Sequence, residues 1–445
     1  MEKNGQISGN TNHMNKREVR YSKSSVMTVL TICIFSERRS LMALKRMFCL
    51  LAGMGMLLSS GIAWSAEVHG RSSTQFQWYT DYLTGEKQAE FGEYLSLAIT
   101  KVDKAGKLSF HGYGRGTQDI MNGQGLNGRL YYLYGDYSNL FDKADIRLGR
   151  QFVNYAAGSA LIDGGKIDLK NVGPVAFSVM GGRNVIFNLD GEATNHKDFV
   201  WGIAANLVDL KNTDAELSYF MKLDEDGIAR DQIGGSAKQY LFNSLKVYGN
   251  FRFDMASEVF SEVLAGLKYF PTSDLVLTGE WYQSYPIFDN SSIYSVFAVD
   301  RYQEGILRAD YTVNDKVGVN VGYSRQSFAE DGNTNVYEIG TRIRPIDQVQ
   351  VNLNYDFQLG YSGKLSGGTA DVTYEPIKPL ELACGVHYDV YERDRFTGRE
   401  TARKYWLGSK YKFNKSMAAS VRVEDNVNRQ YTDDWAGRVV FNYDF

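Results

Sequence analysis

Trp435-Ala-Gly-Arg-Val-Val-Phe-Asn-Tyr-Asp-Phe445 is the stretch whose reading decides the fold. Side chains alternate between the two faces of a strand with period two. Trp435, Gly437, Val439, Phe441, Tyr443 and Phe445 therefore share one face, and Ala436, Arg438, Val440, Asn442 and Asp444 share the other. One face is apolar and crowded with rings; the other is mostly polar. An edge strand of a soluble β-protein could look the same, so the rest of the chain has to arbitrate.

The alternation recurs upstream. Residues 348–359 set Val349, Val351, Leu353, Tyr355, Phe357 and Leu359 against Gln348, Gln350, Asn352, Asn354, Asp356 and Gln358. Residues 245–254 set Leu245, Val247, Gly249, Phe251 and Phe253 against Lys246, Tyr248, Asn250, Arg252 and Asp254. Residues 404–413 set Tyr405, Leu407, Tyr411 and Phe413 against Lys404, Lys410 and Lys412. No helical period follows residue 66. Hairpin signals punctuate the pattern, as in Lys268-Tyr-Phe-Pro-Thr-Ser-Asp-Leu275 and Thr373-Tyr-Glu-Pro-Ile-Lys-Pro-Leu380. Four of the six prolines (Pro271, Pro345, Pro376 and Pro379) fall in such places, which the reading assigns to turns because proline cannot donate to a ladder. Counting strands between turns gives about 22, within a range of about 20–24, with 163–183 the least clearly patterned part. Even-to-odd links read as tight (Asp103–Ala105, Thr272–Ser273, Pro345–Ile346) and odd-to-even links as mostly longer. Short turns on one rim and longer loops on the other are the habit of a transmembrane up-and-down β-barrel, all-β and antiparallel.

The final strand resembles the C-terminal strand of bacterial outer-membrane β-barrels, which ends in Phe with apolar residues at alternate positions before it. The resemblance implies that Phe441, Tyr443 and Phe445 form the signal read by the barrel-assembly machinery, and that the apolar face meets outer-membrane lipid. Lipid offers backbone groups no partner, so a spanning sheet has to close on itself. Rings near strand ends, such as Trp281, Tyr411, Tyr443 and Phe445, are expected to form interfacial girdles.

The front of the chain reads as a targeting segment. Met42 opens a short basic stretch with Lys45 and Arg46, the apolar run Met47–Ile62 follows, and Ala63-Trp-Ser65 closes it with small residues. That is the layout of a secretory signal peptide over 42–65, with cleavage after Ser65. A membrane anchor is the alternative, although the run is short for one. Residues 1–41 read as an extension from a start codon assigned too far upstream, and 66–445 as a single barrel. Residues 1–65 carry nine of the 49 Lys/Arg and three of the 52 Asp/Glu, leaving an acidic barrel of 40 basic and 49 acidic residues. Nucleic-acid binding, which needs a basic face, is not expected.

Little in the sequence points to catalysis or to a cofactor. Of three cysteines, Cys33 and Cys49 precede the barrel, so Cys384 stands alone, with no disulfide framework, no zinc pair and no Cys-x-x-Cys-His haem site. Cys384 alternates with Leu382 and Val386 and reads as outward-facing. His69, His111, His196 and His387 lie far apart, none with a second ligand at metal spacing. Gly112-Tyr-Gly114-Arg-Gly116 lies inside a strand with no helix after it, so it fails as a phosphate loop. No metal and no cofactor are expected, and no enzyme activity.

Size is the functional clue. A barrel of about 22 strands has a lumen that transporters of this width plug, yet the first strand begins directly after the cleavage site, leaving no plug domain. The expected lumen-facing residues are Lys246, Arg252, Asp254, Glu262, Lys268, Glu280, Gln350, Asn352, Asn354, Asp356, Lys410, Arg438 and Asn442. The small, flexible stretch Asn154-Tyr-Ala-Ala-Gly-Ser-Ala-Leu-Ile-Asp163 is the candidate inward-folded constriction, through Asn154, Tyr155, Ser159 and Asp163, with Phe288–Val299 as a second narrowing loop. Two functions follow. One is a diffusion channel with a wide polar passage. The other is a sheath around a partner. The Tyr-rich barrel and Leu161-Ile-Asp-Gly-Gly-Lys-Ile-Asp-Leu-Lys170 look like outer-membrane channel proteins of metal-reducing deltaproteobacteria. Some of those hold multihaem c-type cytochromes in porin–cytochrome conduits, and that resemblance implies electron transfer through a barrel that carries no haem itself.

Overall fold

A computed structural model describes residues 66–445, apart from 124, 189–190, 193–197, 226, 288–299 and 393–397. The expected signal peptide, the extension before it and the loop Phe288–Val299 lie outside the described residues. The strands are β1 (Glu67–Thr80), β2 (Lys87–Thr100), β3 (Leu108–Asp119), β4 (Asn127–Leu140), β5 (Ala144–Tyr155), β6 (Gly158–Val172) and β7 (Val175–Asn184). A two-rung hairpin follows, β8 (Phe187–Asn188) with β9 (Gly191–Glu192). Next come β10 (Phe199–Leu210), β11 (Thr213–Asp224), β12 (Gly227–Leu241), β13 (Leu245–Asp254), β14 (Val259–Thr272), β15 (Leu275–Ser284) and β16 (Tyr302–Asn314). The chain ends through β17 (Val317–Phe328), β18 (Asn333–Ile346), β19 (Val349–Gly360), β20 (Gly363–Ile377), β21 (Leu380–Glu392), β22 (Glu400–Lys412), β23 (Met417–Val427) and β24 (Asp434–Asp444).

All but β8 and β9 form one 22-stranded antiparallel sheet in which each strand pairs with its chain neighbours. The last strand closes on the first, from Arg71 opposite Asp444 to Trp78 opposite Gly437. Gly70 and Phe445 exchange backbone bonds at 2.9 and 3.0 Å, and the Phe445 ring fills the space that the missing Gly70 side chain leaves. Arg71 reaches Asp444 through Nε at 2.6 Å and Nη2 at 3.0 Å. The described residues contain no helix and no plug.

The two faces are chemically distinct. One exposes the large apolar side chains, among them Leu133, Leu148, Leu277, Trp281, Leu307, Ile339, Leu407 and Phe441. The other carries amides, hydroxyls and charges. Cys384 is exposed on the apolar face, in register with Leu407 and Val372.

Turns at one rim are tight, at 173–174, 211–212, 273–274, 315–316, 347–348 and 378–379. Lys211 and Asn212 both take positive φ (53° and 61°), the mirror-image turn that matches strand twist. Three expected boundaries shift. Thr272 ends β14 and Pro345–Ile346 ends β18, whereas the β2–β3 link runs over 101–107, where the Asp103 carboxylate accepts from the Lys107 and Leu108 amides at 2.7 and 2.8 Å. The prolines explain the first two shifts. Pro271, Pro345 and Pro376 sit not in turns but inside register shifts at strand ends, between Tyr269 and Thr272, Ile343 and Ile346, and Tyr374 and Ile377. A bulge residue owes the ladder no N–H, so a strand can run through proline there.

Candidate functional site: an inward-folded hairpin

The expected constriction loop is not a loop. β5 and β6 run on to a two-residue turn at Ala156 and Ala157, so that Gln151 pairs with Ile162 and Tyr155 with Gly158. The segment belongs to the barrel wall only as far as Arg150, the last β5 residue opposite β4. Beyond it the hairpin bends over and lies on the polar-side face of β7 and β10–β12.

Glycine makes the bend. Gly149, Gly164 and Gly182 stand side by side across β5, β6 and β7, and Gly165 faces Gly181. Gly149 has φ +124°, strained for any residue with a Cβ, and a Cβ there would meet the Leu133 carbonyl and the Tyr134 Cα. A Cβ on Gly182 would lie 2.7 Å from the Gly164 Cα. The row is a crease where two strands approach their neighbours more closely than side chains permit. Arg150 spans it, giving Nε and Nη2 to Asp163 at 2.7 Å each and Nη1 to the Leu130 carbonyl at 3.2 Å.

Folding over turns one face of the hairpin onto the wall. Val153, Tyr155, Ala157, Ala160 and Ile162 pack with Met180, Val200, Ala204 and Phe220 into the one buried apolar cluster among the described residues. Each large side chain buried this way contributes about 1.5–3 kcal/mol. The tip is pinned by polar contacts. The Ala156 amide donates to Glu216 Oε1 at 2.5 Å and the Ala157 amide to Ser218 Oγ at 2.9 Å. Arg252 Nε donates to the Ala156 carbonyl at 3.3 Å, and Tyr155 Oη lies 2.6 Å from Ser178 Oγ. Gly234 lies under the tip, where a Cβ would strike Ala156 and Ala157. The other face, with Phe152, Asn154 and Ser159, stays exposed.

The four residues expected to narrow the passage therefore divide. Asn154 and Ser159 are register partners on the exposed face. Tyr155 is a correction: it is buried against the wall, because its phenol finds Ser178 and its ring the space over Gly202. Asp163 is held at the crease by Arg150. The stretch is also strand rather than flexible coil, because docking supplies the apolar partners that its small residues cannot supply alone.

Of the expected lumen-facing residues, only Arg252 and Glu262 come to the hairpin, where Arg252 Nη1 lies 3.3 Å from Glu262 Oε2 and Asn250 donates to Glu262 Oε1 at 2.7 Å. With Lys222, Arg230, Gln232 and Ser159 they line a polar cavity of about 420 Å³ beside the tip. The others are spread round the ring on the same face. Asp254, 1% exposed, accepts from Gln232 at 3.2 Å and from the Ser257 amide at 2.8 Å. Lys246 stands opposite Lys268 with its ammonium 5.3 Å from the Tyr248 ring, and Tyr248 donates to Glu280. Gln350 donates to Asn352, Asn352 to Asp371 and Asn354 to Thr369 at 3.2, 2.6 and 3.2 Å. Asp356 is opposite Glu338, Lys410 opposite Ser420 and Asn442 opposite Ala418, while Arg438 donates to Gln75 at 2.5 Å. Among the described residues no group of His, Cys, Asp or Glu could hold a metal ion. His196 lies outside the described residues.

No protein-family model matches the chain, and no curated protein resembles it in sequence. Among solved structures the barrel is similar to a variant of the ferric enterobactin receptor of Pseudomonas aeruginosa, with a TM-score of 0.57 and 11% identity over 86% of this chain and 81% of the receptor. It also aligns with a BenF-like porin from Pseudomonas fluorescens Pf-5 (TM-score 0.47, 11% identity, 86% of this chain and 98% of the porin). A third alignment is with Pseudomonas aeruginosa OpdQ (TM-score 0.42, 10% identity, 85% and 99%). At such identities the likeness is one of fold, and the receptor alignment carries it.

Proposed function

We propose that the barrel sits in a bacterial outer membrane and works as a solute channel, its polar face lining the passage and the β5–β6 hairpin narrowing it. The observation that carries this reading is the docked hairpin. A wide ring with an empty lumen would leak, and here the chain lays one of its own hairpins over the inner wall with a buried apolar cluster and four polar contacts to hold it. Asn154, Ser159, Arg252 and Glu262 then meet the passing solute, and the remaining polar-face residues give it a wet wall. Outer-membrane lipid meets the apolar face. Export by a cleaved signal peptide and recognition of Phe441, Tyr443 and Phe445 by the barrel-assembly machinery complete the proposal. In the sheath alternative, multihaem c-type cytochromes fill the lumen; the hairpin argues against it by taking room that such a partner needs.

Single-channel recording of the purified barrel in a planar bilayer tests the reading. Steady conductance without haem absorbance in protein from native membranes is the expected result. A closed barrel overturns the channel, and haem that co-purifies with it establishes the sheath.

A further inference from the structure

Apart from the cavity beside the hairpin tip, the polar face is hollowed a second time, on β16–β20. At several points on this face a neighbouring side chain lies over a glycine and keeps the wall flush: Tyr248 over Gly266, Asp389 over Gly367 and Trp406 over Gly385. Gly318 of β17 differs, because the side-chain atom nearest its Cβ position is Arg342 Nη2, 3.6 Å away. A cavity of about 530 Å³ opens there, ringed by Asp310, Asn320, Arg342, Asn352, Asn354 and Asp371. Gly340 of β18 stands between its register partners Asn320 and Asn354. Both amide oxygens lean into the space that a Gly340 side chain would fill.

Just outside the hollow the wall satisfies itself. Arg308 donates to Glu338 at 3.2 Å, and His387 Nε2 lies 2.9 Å from Asp389 Oδ1. Inside it, Asn352 donates to Asp371 at 2.6 Å and Asn354 to Thr369 at 3.2 Å. The side chains of Asp310, Asn320 and Arg342 make no hydrogen bond or ion pair with another described residue. The open groups are chemically mixed: a carboxylate that accepts, a guanidinium that donates and amides that do both. Two carboxylates against one guanidinium disfavour an anion. Tyr311 and Val319, which border the hollow, are register partners on the apolar face of the same strands, so no ring or branched side chain waits for an apolar body. A hydroxyl donates and accepts at one atom. A molecule covered in hydroxyls therefore satisfies amide, carboxylate and guanidinium together.

We propose that this hollow binds neutral polyhydroxylated solutes, sugars and polyols, with Asp310, Asn320, Arg342 and Asn354 meeting their hydroxyls. The proposal rests on the channel reading, because the solute reaches this wall only through a water-filled passage. It adds to that reading a place on the wall, away from the hairpin, where such a solute pauses.

Saturation-transfer NMR titration of the full-length barrel in a sugar-free detergent tests it with three probes: maltose, glycine (both charges without hydroxyls) and malonate (an anion). Maltose is expected to bind at least about fivefold more tightly than either, the size of one net hydrogen bond. Asn320→Ala should weaken maltose by about the same factor. Gly340→Ala should weaken it further, because the added methyl displaces the Asn320 and Asn354 amides together. Circular dichroism reports whether each variant folds, and Asn354→Ala replaces Gly340→Ala if that variant does not. Glycine or malonate binding as tightly as maltose, or maltose binding that neither substitution weakens, overturns the proposal. Conductance in potassium chloride is recorded on the same preparations. A conducting barrel that does not bind maltose refutes this site alone, and maltose binding to a barrel that does not conduct refutes the channel alone.

Discussion

Gly164 and Gly182 face one another across β6 and β7 so closely that a Cβ on Gly182 would lie 2.7 Å from the Gly164 Cα. No other residue type fits that approach, and the hairpin folds inward only because both positions are empty of side chain. Gly182→Val should lift the hairpin from the wall while leaving the rest of the ladder intact. A docked sheet layer occupies about 10 Å, so single-channel conductance should rise about twofold or more. An unchanged step size would mean that the hairpin is not what narrows the passage.

Phe220 supplies the wall's aromatic ring to the buried cluster and lies beneath Gly158. Truncating a buried Phe to Ala costs about 3–5 kcal/mol, and here the cost falls on docking of the hairpin. Phe220→Ala channels should flicker between two conductance levels where the wild type holds one. Protease cleavage at 156–157 should accelerate in parallel.

The two carboxylates at opposite ends of β24 should behave differently. The Asp444 pair with Arg71 is well formed but exposed, with side-chain exposures of 43% and 61%, and exposed pairs contribute about 0–1 kcal/mol. Asp434 is 1% exposed and accepts from Thr80 at 2.5 Å and Tyr82 at 3.1 Å across the closure. Its removal leaves the buried Thr80 hydroxyl unsatisfied, at about 1–3 kcal/mol. In urea unfolding of the refolded barrel, Asp434→Ala should shift the midpoint clearly and Asp444→Ala barely.

Cys384 reports on which face meets lipid. In proteoliposomes a lipid-soluble maleimide should label it, and a charged, membrane-impermeant thiol reagent should not. Fast labelling by the charged reagent would place the β21 apolar face in water and invert the assignment of inside and outside.

The alternation of β13, β19, β22 and β24 made the ring and its two faces legible in the sequence, because one side of each of those strands meets only water or only apolar surroundings. Where that condition fails, the pattern fails with it. In β10, Phe199-Val-Trp-Gly-Ile-Ala-Ala205 is apolar on both faces, since Val200 and Ala204 lie under the hairpin. Such a run is the mark of a strand covered on both sides, and it could have located the docking wall. The tip of the hairpin reads as coil in the sequence, because Ala156-Ala-Gly-Ser-Ala160 offers small residues whose partners are remote in sequence. The doublet Tyr131-Tyr132 breaks the period of two in β4 and so marks the register shift against β3.

The docked hairpin also makes the ring mechanically uneven. A closed sheet one layer thick resists stretching along its hydrogen bonds but flattens easily into an ellipse. Ala156, joined to Glu216 of β11 and drawn toward Arg252 of β13, ties the arc from β5 to β13 as a brace ties a hoop. That arc is double-walled and stiff; among the described residues β17–β21 form a single layer. Flattening under lateral membrane pressure should concentrate in that single layer, so amide hydrogen exchange should be slower in β10–β12 than in β17–β21.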